Sequence, residues 1–108
     1  MDWDTAIALA YAAEQLFVAA QALTSDLVST ERGLRVADSR LGALMENSGL
    51  LPNRIRERVL HLHDRFLRCR RENRLDSASA ESLASATMST VEEIRDVLND
   101  VDEHRLAA

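Results

Sequence analysis

The sequence predicts an all-α protein, an up-and-down helical bundle of three long helices, or of four helices if the first one breaks near residue 30. Composition is the first reason: 108 residues include three glycines and one proline, and aromatic residues make up 4%. Sandwiches and barrels need more turn, β-branched and aromatic residues. The second reason is apolar periodicity, which follows helical spacing along most of the chain. A chain of this length supports one core, so residues 1–108 are expected to form a single domain.

Heptad spacing organises residues 5–47, with Asp4 or Thr5 as the expected cap of the first helix. Eleven of the thirteen register positions are apolar: Ala6, Leu9, Ala13, Leu16, Ala20, Leu23, Leu27, Thr30, Leu34, Ala37, Leu41, Leu44 and Ser48. Residues that favour helix ends cluster near residue 30, Gly33 among them, and indicate a break. The register crosses this region without a phase slip, which indicates one helix about 65 Å long. Both alternatives stay open.

The first helix is also apolar outside the register, at Ile7, Tyr11, Phe17 and Val18. A helix that is apolar on more than one side is expected to be buried on more than one side. Residues 6–23 are therefore interpreted as a central helix or a dimer surface. On this basis we expect a homodimer through residues 6–27.

An arginine-rich helix follows the segment NSGLLPN, where Gly49 is expected to take a left-handed cap conformation and Pro52 to prevent continuation. The helix is predicted to run from Asn53 to about Arg74. Its apolar seam has helical spacing and consists of Ile55, Val59, Leu62, Phe66 and Cys69. Eight arginines against three acidic residues give residues 54–74 a charge of +5, whereas the whole chain carries −5. The rest of the chain therefore carries −10, which is the main functional indication.

The last predicted helix covers about residues 79–104, with a fresh start near residue 90 as the alternative. Half of the residues from 77 to 90 are serine or threonine, a composition that is also typical of linkers. The expected buried side consists of Leu83, Ala84, Thr87, Val91, Ile94, Leu98 and Val101. Acidic residues lie opposite, and residues 76–105 carry eight acids against two arginines. This helix is therefore an electrostatic complement to the basic one.

Three interpretations of the basic helix follow. Its arginines pair with the acidic last helix, or they dock an acidic protein partner, or they bind nucleic-acid phosphates. The candidate partner contacts are Arg58, Arg65, Arg68 and Arg71. The basic rows contain no aromatic residue that could stack on a base, which disfavours nucleic acid. The leading hypothesis is a small non-enzymatic interaction module, a regulator, adaptor or inhibitor, with a nucleic-acid accessory protein as the alternative.

An enzymatic alternative comes from the spacing between Arg56 and His61, which is repeated between Arg58 and His63. This spacing is similar to the motif of the HEPN ribonucleases, which are dimeric helical bundles. The resemblance implies that Arg56 and His61 act together on an RNA phosphate at a dimer cleft. The histidine would do acid–base work and the arginine would stabilise charge.

The remaining features limit cofactors and location. Cys69 is the single cysteine, so no internal disulfide forms and a reducing, cytoplasmic setting is expected. His61 and His63 point about 200° apart on a helix, so neither a metal site nor a cofactor is expected. The acidic N-terminus and the absence of an uninterrupted apolar run of about 20 residues predict no membrane association. All thirteen basic side chains are arginine, which is typical of a GC-rich bacterial or phage gene.

Overall fold

The computed structural model describes residues 2–24, 30–71 and 77–107, and their side chains except at positions 30, 31, 70, 77 and 101–107. These residues form four α-helices and a short 3-10 turn: α1 (Trp3–Thr24), α2 (Thr30–Glu46), the turn Ser48–Leu50, α3 (Asn53–Arg71) and α4 (Ser77–Ala107). The α1 helix packs most extensively against α4 and α2, and α3 packs against α4 and, less, against α2. The all-α up-and-down bundle is confirmed, in its four-helix form.

The α1 helix ends at Thr24 and α2 begins at Thr30, and residues 25–29 lie outside the described residues. A straight helix over residues 5–47 would be about 65 Å long, whereas the longest dimension of the molecule is 50 Å. The heptad register nevertheless holds on both sides of the break. Its buried members are Leu9, Ala13, Leu16, Ala20, Leu23, Leu34, Ala37, Leu41 and Leu44. Leu27 and the side chain of Thr30 lie outside the described part of the chain.

Gly33, one of the residues that indicated a break near residue 30, lies in the first turn of α2, where α2 crosses α1 closely. A Cβ atom built at Gly33 would approach the Ala22 carbonyl oxygen more closely than non-bonded atoms can, and would lie 3.1 Å from the Ala22 carbonyl carbon. At Gly42, in the same helix, nothing lies within 4 Å of such an atom. The absent side chain of Gly33 therefore allows the backbones to approach.

The cap of α1 is Asp2 rather than the predicted Asp4 or Thr5, because the helix begins at Trp3. The Thr5 backbone N–H donates to Asp2 Oδ1 at 2.8 Å, which satisfies one of the free amides of the first turn. The hydrogen bonds with Thr5 hold the pKa of the Asp2 carboxyl below its ordinary value.

The α3 helix begins at Asn53, directly after Pro52, as predicted. The preceding chain reverses through the 3-10 turn, and Gly49 lies within it without the predicted left-handed backbone, so that prediction is wrong. The seam is confirmed: Ile55, Val59, Leu62 and Phe66 are buried, and Cys69 is half-buried. The predicted end near Arg74 lies outside the described residues, and α3 is described up to Arg71.

The α4 helix is continuous from Ser77 to Ala107, so the alternative start near residue 90 is wrong. Small side chains and bonded hydroxyls make its serine- and threonine-rich half compatible with the core. The buried Thr87 hydroxyl donates to the Leu83 carbonyl at 2.7 Å, and the Thr90 hydroxyl donates to the Ala86 carbonyl at 3.1 Å. Both hydroxyls are therefore satisfied within the helix.

Among the described residues, α1 is also a helix long and apolar enough to cross a membrane, although Asp4 and Glu14 interrupt its apolar run. Of the apolar window that meets this criterion, 44% is buried inside the bundle. Core helices of soluble proteins and signal sequences near an N-terminus meet the same criterion. The absence of membrane association and the cytoplasmic location stay predictions.

Candidate interaction surface on helix α3

Helices α3 and α4 run antiparallel, and three polar contacts fix their register. Arg54 Nε lies 2.7 Å from Glu93 Oε1, and the Arg58 guanidinium pairs with the other oxygen of the same carboxylate. Eleven residues after Arg54, the Arg65 Nη2 donates to Ser82 Oγ at 3.2 Å, and Ser82 lies eleven residues before Glu93. The start of α3 therefore lies beside Glu93, near the middle of α4, and the later part of α3 lies beside the N-terminal half of α4.

Acidic residues are distributed unevenly along α4, and this decides what each half of α3 meets. From 92 to 100 the helix carries four acids: Glu92, Glu93, Asp96 and Asp100. From 78 to 91 it carries only Glu81, amid serine, alanine and threonine. Antiparallel packing thus sets Glu93, near the start of this acidic stretch, beside Arg54 and Arg58, and the later acids continue past the start of α3. The serine-rich half lies beside the later arginines of α3.

We call Arg54 and Arg58 the paired row. The side chain of Glu93, which they share, is only 16% exposed, whereas the side chains of Arg54 and Arg58 are 84% and 40% exposed. Arg58 also donates to Ser89 Oγ at 3.4 Å. A partly buried carboxylate held by two guanidinium groups is well compensated, so this end of the interface is electrostatically satisfied.

We call Arg65, Arg68 and Arg71 the open row. They recur every three residues on one side of α3, where Arg65 is half-buried and the other two are exposed. Within the described residues, the hydrogen bond of Arg65 goes to a neutral hydroxyl, and Arg68 and Arg71 make no hydrogen bond or ion pair. Three positive charges are therefore presented to solvent without a carboxylate from the described part of the same chain.

A groove of about 340 Å³ runs between α3 and α4 and connects the two rows. Its lining combines a short apolar floor with charged walls: Arg54, Glu57, Arg58, His61, Leu62, Arg65, Ala86 and Thr90. His61 is exposed and stands between the paired row and the open row. The groove can therefore accept an extended or helical segment that carries negative charge next to small apolar groups.

The four predicted partner contacts divide between the two rows. Arg58 is held by Glu93 and Ser89, whereas Arg65, Arg68 and Arg71 form the open row. Glu93 makes this division, and its role was not predicted from the sequence. Its position beside the buried Ile94, next to the apolar side of α4, was the available signal.

The residues of the ribonuclease-like motif are engaged with different neighbours. The Arg56 guanidinium donates to the carbonyl oxygens of Ser48 at 3.3 Å, Gly49 at 3.1 Å and Leu51 at 3.1 Å. It therefore supplies hydrogen-bond donors to backbone carbonyl groups of the chain reversal before α3. His61 instead lines the α3–α4 groove, whose lining does not include Arg56.

The side chains of the described residues form no group of three or more histidine, cysteine and acidic residues that could hold a metal ion. Cys69 is a half-buried free thiol. Among the described side chains, every buried polar atom has a hydrogen-bond partner, so none points to a missing ligand.

The predicted dimer segment covers residues 6–27, of which 25–27 lie outside the described residues. The heptad residues of α1 in this segment are buried against α2 and α4 of the same chain. A second copy would therefore contact the outer side of α1. Ile7 is 52% exposed on that side, and Tyr11 and Val18 are half-buried there.

No family model, curated protein or solved structure matches this chain. The interpretation of function therefore starts from the geometry of the open row and the groove.

Proposed function

We propose that this protein is a small non-enzymatic interaction module, a regulator, adaptor or inhibitor, that binds an acidic segment of a partner protein along the open row. The observation that supports this proposal is the segregation of charge on the α3–α4 face. One carboxylate holds both arginines of the paired row, and the described residues supply none to Arg65, Arg68 and Arg71.

Recognition would follow from the chemistry of arginine. A guanidinium group offers a rigid fork of donors that matches a carboxylate with two parallel hydrogen bonds, and it is weakly hydrated. Exposed arginines also steer an acidic partner during its approach. Leu62 and Ala86, on the floor of the groove, would contact small apolar side chains between the partner's acidic residues.

The geometry favours an acidic protein segment over nucleic acid. The open row covers seven residues, about 9 Å from first to last along the helix, which is enough for two or three carboxylates but for only a few phosphates. The groove lining contains no aromatic side chain on which a base could stack. Exposed acids on α4, among them Glu81, Glu92 and Asp96, would repel a long polyanion that continued past the row.

The ribonuclease alternative would require Arg56 to leave three backbone carbonyls in order to act with His61. This costs the turn its hydrogen bonds, so we propose a non-enzymatic role. A cytoplasmic location in a bacterial or phage-infected cell accords with the lone cysteine and the arginine-only basic composition.

Two fluorescent probes of nearly equal charge test the class of partner: a glutamate peptide of about 20 residues and a uridine RNA of about 20 nucleotides. Anisotropy at low and moderate salt measures binding, and gel electrophoresis of the RNA measures cleavage. We expect the peptide to bind more tightly than the RNA, and the RNA to stay intact. Tighter RNA binding with a steep salt dependence would replace this proposal with the nucleic-acid alternative. Cleavage of the RNA by the wild-type protein that is lost in the Arg56→Ala variant would replace it with the enzymatic alternative.

A matched pair of double variants then locates the peptide site. Arg65→Ala with Arg68→Ala removes two charges from the open row, and Arg35→Ala with Arg95→Ala removes two exposed charges outside the groove. Only the first pair is expected to abolish peptide binding. Equal losses would indicate attraction by net charge alone, which contradicts a defined site.

A further inference from the structure

Three of the four large hydrophobic side chains that are exposed among the described residues lie at one end of the bundle. Trp3 is 64% exposed, Ile7 52% and Leu50 57%, whereas the fourth, Leu60, lies on α3. Trp3, Ile7 and Tyr11 are four residues apart and so lie along one side of α1. We call these three residues and Leu50 the N-terminal patch.

A shallow groove of about 410 Å³ joins the two elements of the patch. It is lined by Asp4, Ile7, Ala8 and Tyr11 of α1 and by Asn47 and Leu50 from the turn after α2. An apolar surface of this kind is typical of a contact site, because single scattered hydrophobic residues do not form a common groove.

The outer side of α1 is also poor in charge. Between Trp3 and Thr24 the helix carries only Asp4 and Glu14 as charged residues, although charged residues make up 29% of the chain. A helix that is apolar on all sides is normally covered on all sides. The bundle covers only the side that faces α2 and α4.

Charge is arranged with opposite sign at the two ends of the α1–α2 face. Asp2 and Asp4 lie at the N-terminal end of α1, beside the end of α2. The antiparallel register is fixed by the Arg40 Nη1 hydrogen bond to Gln15 Oε1 at 3.1 Å and by the close approach of Gly33 to Ala22. This register places Arg35, with Ser39 and Arg40, beside the C-terminal half of α1.

We propose that this face binds a second copy of the chain through a two-fold contact in which the two α1 helices run antiparallel. A two-fold axis near Tyr11 would set Trp3 of each copy opposite Val18 of the other. The acidic end of each copy would then lie over the Arg35 region of its partner. The complementary occupant is thus the chain's own surface, with Ile7 and Tyr11 near the axis, the exposed Glu14 within one turn of it, and opposite charges at the ends.

The size of the face sets the expected affinity. The 22 residues of α1 span about 33 Å and present a strip about 10 Å wide, to which the edge of α2 adds. This is at the small end of specific interfaces, so a dissociation constant in the micromolar range is expected. The contact uses none of the open row, so its failure would leave the acidic-partner proposal intact.

Sedimentation equilibrium over a range of protein concentrations tests the contact. We expect the wild-type chain to dimerise, and Ile7→Glu with Leu50→Glu to weaken the dimer by about 30-fold or more, because each charge would be buried in an apolar contact. Leu60→Glu is the matched control, since it places the same charge on the fourth exposed hydrophobic position, and it should leave the dimer unchanged. Circular dichroism melting establishes that each variant is folded.

A charge swap tests the antiparallel arrangement. Asp4→Arg and Arg35→Asp should each weaken the dimer several-fold, and the double variant should restore it. A monomeric wild-type chain at about 200 µM, far above the expected dissociation constant, would overturn the proposal. A dimer that Leu60→Glu disrupts equally would also overturn it, as would a double variant that does not restore the dimer.

Flotation with phosphatidylcholine vesicles is the last test. If a monomeric chain binds the vesicles and Ile7→Glu abolishes this binding, the patch is a membrane contact and the proposal is overturned.

Discussion

The two halves of α3 contain the same kind of charge but meet different surroundings. In the N-terminal half, Arg54 and Arg58 share the partly buried carboxylate of Glu93. In the C-terminal half, Arg65 reaches only a serine hydroxyl, and Arg68 and Arg71 are exposed without a described partner. The difference arises from α4, which places Glu93 at the start of α3 and small neutral residues beside its later part. Charge that is abundant in a sequence is therefore available for binding only where the facing helix does not neutralise it.

The largest effect is expected beneath the open row, at Phe66. This side chain is fully buried on the α3 seam, next to Arg65 in sequence. Phe66→Ala should lower the free energy of unfolding by about 3–5 kcal/mol, because it leaves a cavity in the core. Leu60→Ala, at a 41% exposed position of the same helix, should cost about 1 kcal/mol or less. Urea unfolding measures both free energies. Similar losses would contradict the assignment of Phe66, but not Leu60, to the buried seam of α3.

A second effect tests the close packing of α2 against α1 at Gly33. Gly33→Ala should destabilise the protein by about 1–3 kcal/mol, because the new Cβ must push α2 away from the Ala22 carbonyl. Gly42→Ala, in open space in the same helix, should stabilise it by about 0.5–1 kcal/mol. Thermal unfolding of the two variants gives shifts of opposite sign if the close approach is real. Shifts of the same sign would contradict it.

The third effect should convert the paired row into a second open row. Glu93→Gln keeps the shape of the side chain but removes the charge that holds Arg54 and Arg58. We expect a loss of stability of about 1 kcal/mol, a modest value because Arg54 is largely exposed. Binding of the glutamate peptide should become several-fold tighter. An unchanged affinity would mean that Glu93 does not limit these arginines.

The smallest effect on stability is expected in the open row itself. Arg68→Ala should change the free energy of unfolding by about 0.5 kcal/mol or less, because Arg68 makes no contact with a described acidic group. Arg58→Ala should cost about 1 kcal/mol, since it removes one of the two arginines that compensate Glu93. Chemical denaturation measures the free energy of unfolding of both variants. Equal losses would contradict the distinction between the paired row and the open row.

The fold was largely predictable because local patterns determine it. Heptad spacing and the α3 seam predicted the buried residues of α1, α2 and α3, and Pro52 predicted where α3 begins. The cap at Asp2 and the role of Gly33 were missed for different reasons. The cap depends on a shift of two residues in the helix start, and the close approach at Gly33 depends on the position of another helix.

The division of the arginines was not predictable from charge counts. Charge counts predict a basic helix beside an acidic one, and they do not separate Arg58 from the residues of the open row. Which arginines meet a carboxylate depends on the antiparallel register of α3 and α4, and on Glu93 lying at the edge of the α4 seam. Periodicity predicts the side of a helix that is buried, but it does not predict the residue that lies opposite in another helix.

The central claim is that binding of an acidic segment occurs at one half of α3 and spares the other. The most direct measurement is a titration of isotope-labelled protein with the glutamate peptide, followed through the NMR signals of the arginine Nε–H groups. We predict shifts at Arg65, Arg68 and Arg71, with Arg54, Arg56 and Arg58 nearly unchanged. Shifts that are equal across all six arginines, or larger in the N-terminal half, would contradict the account.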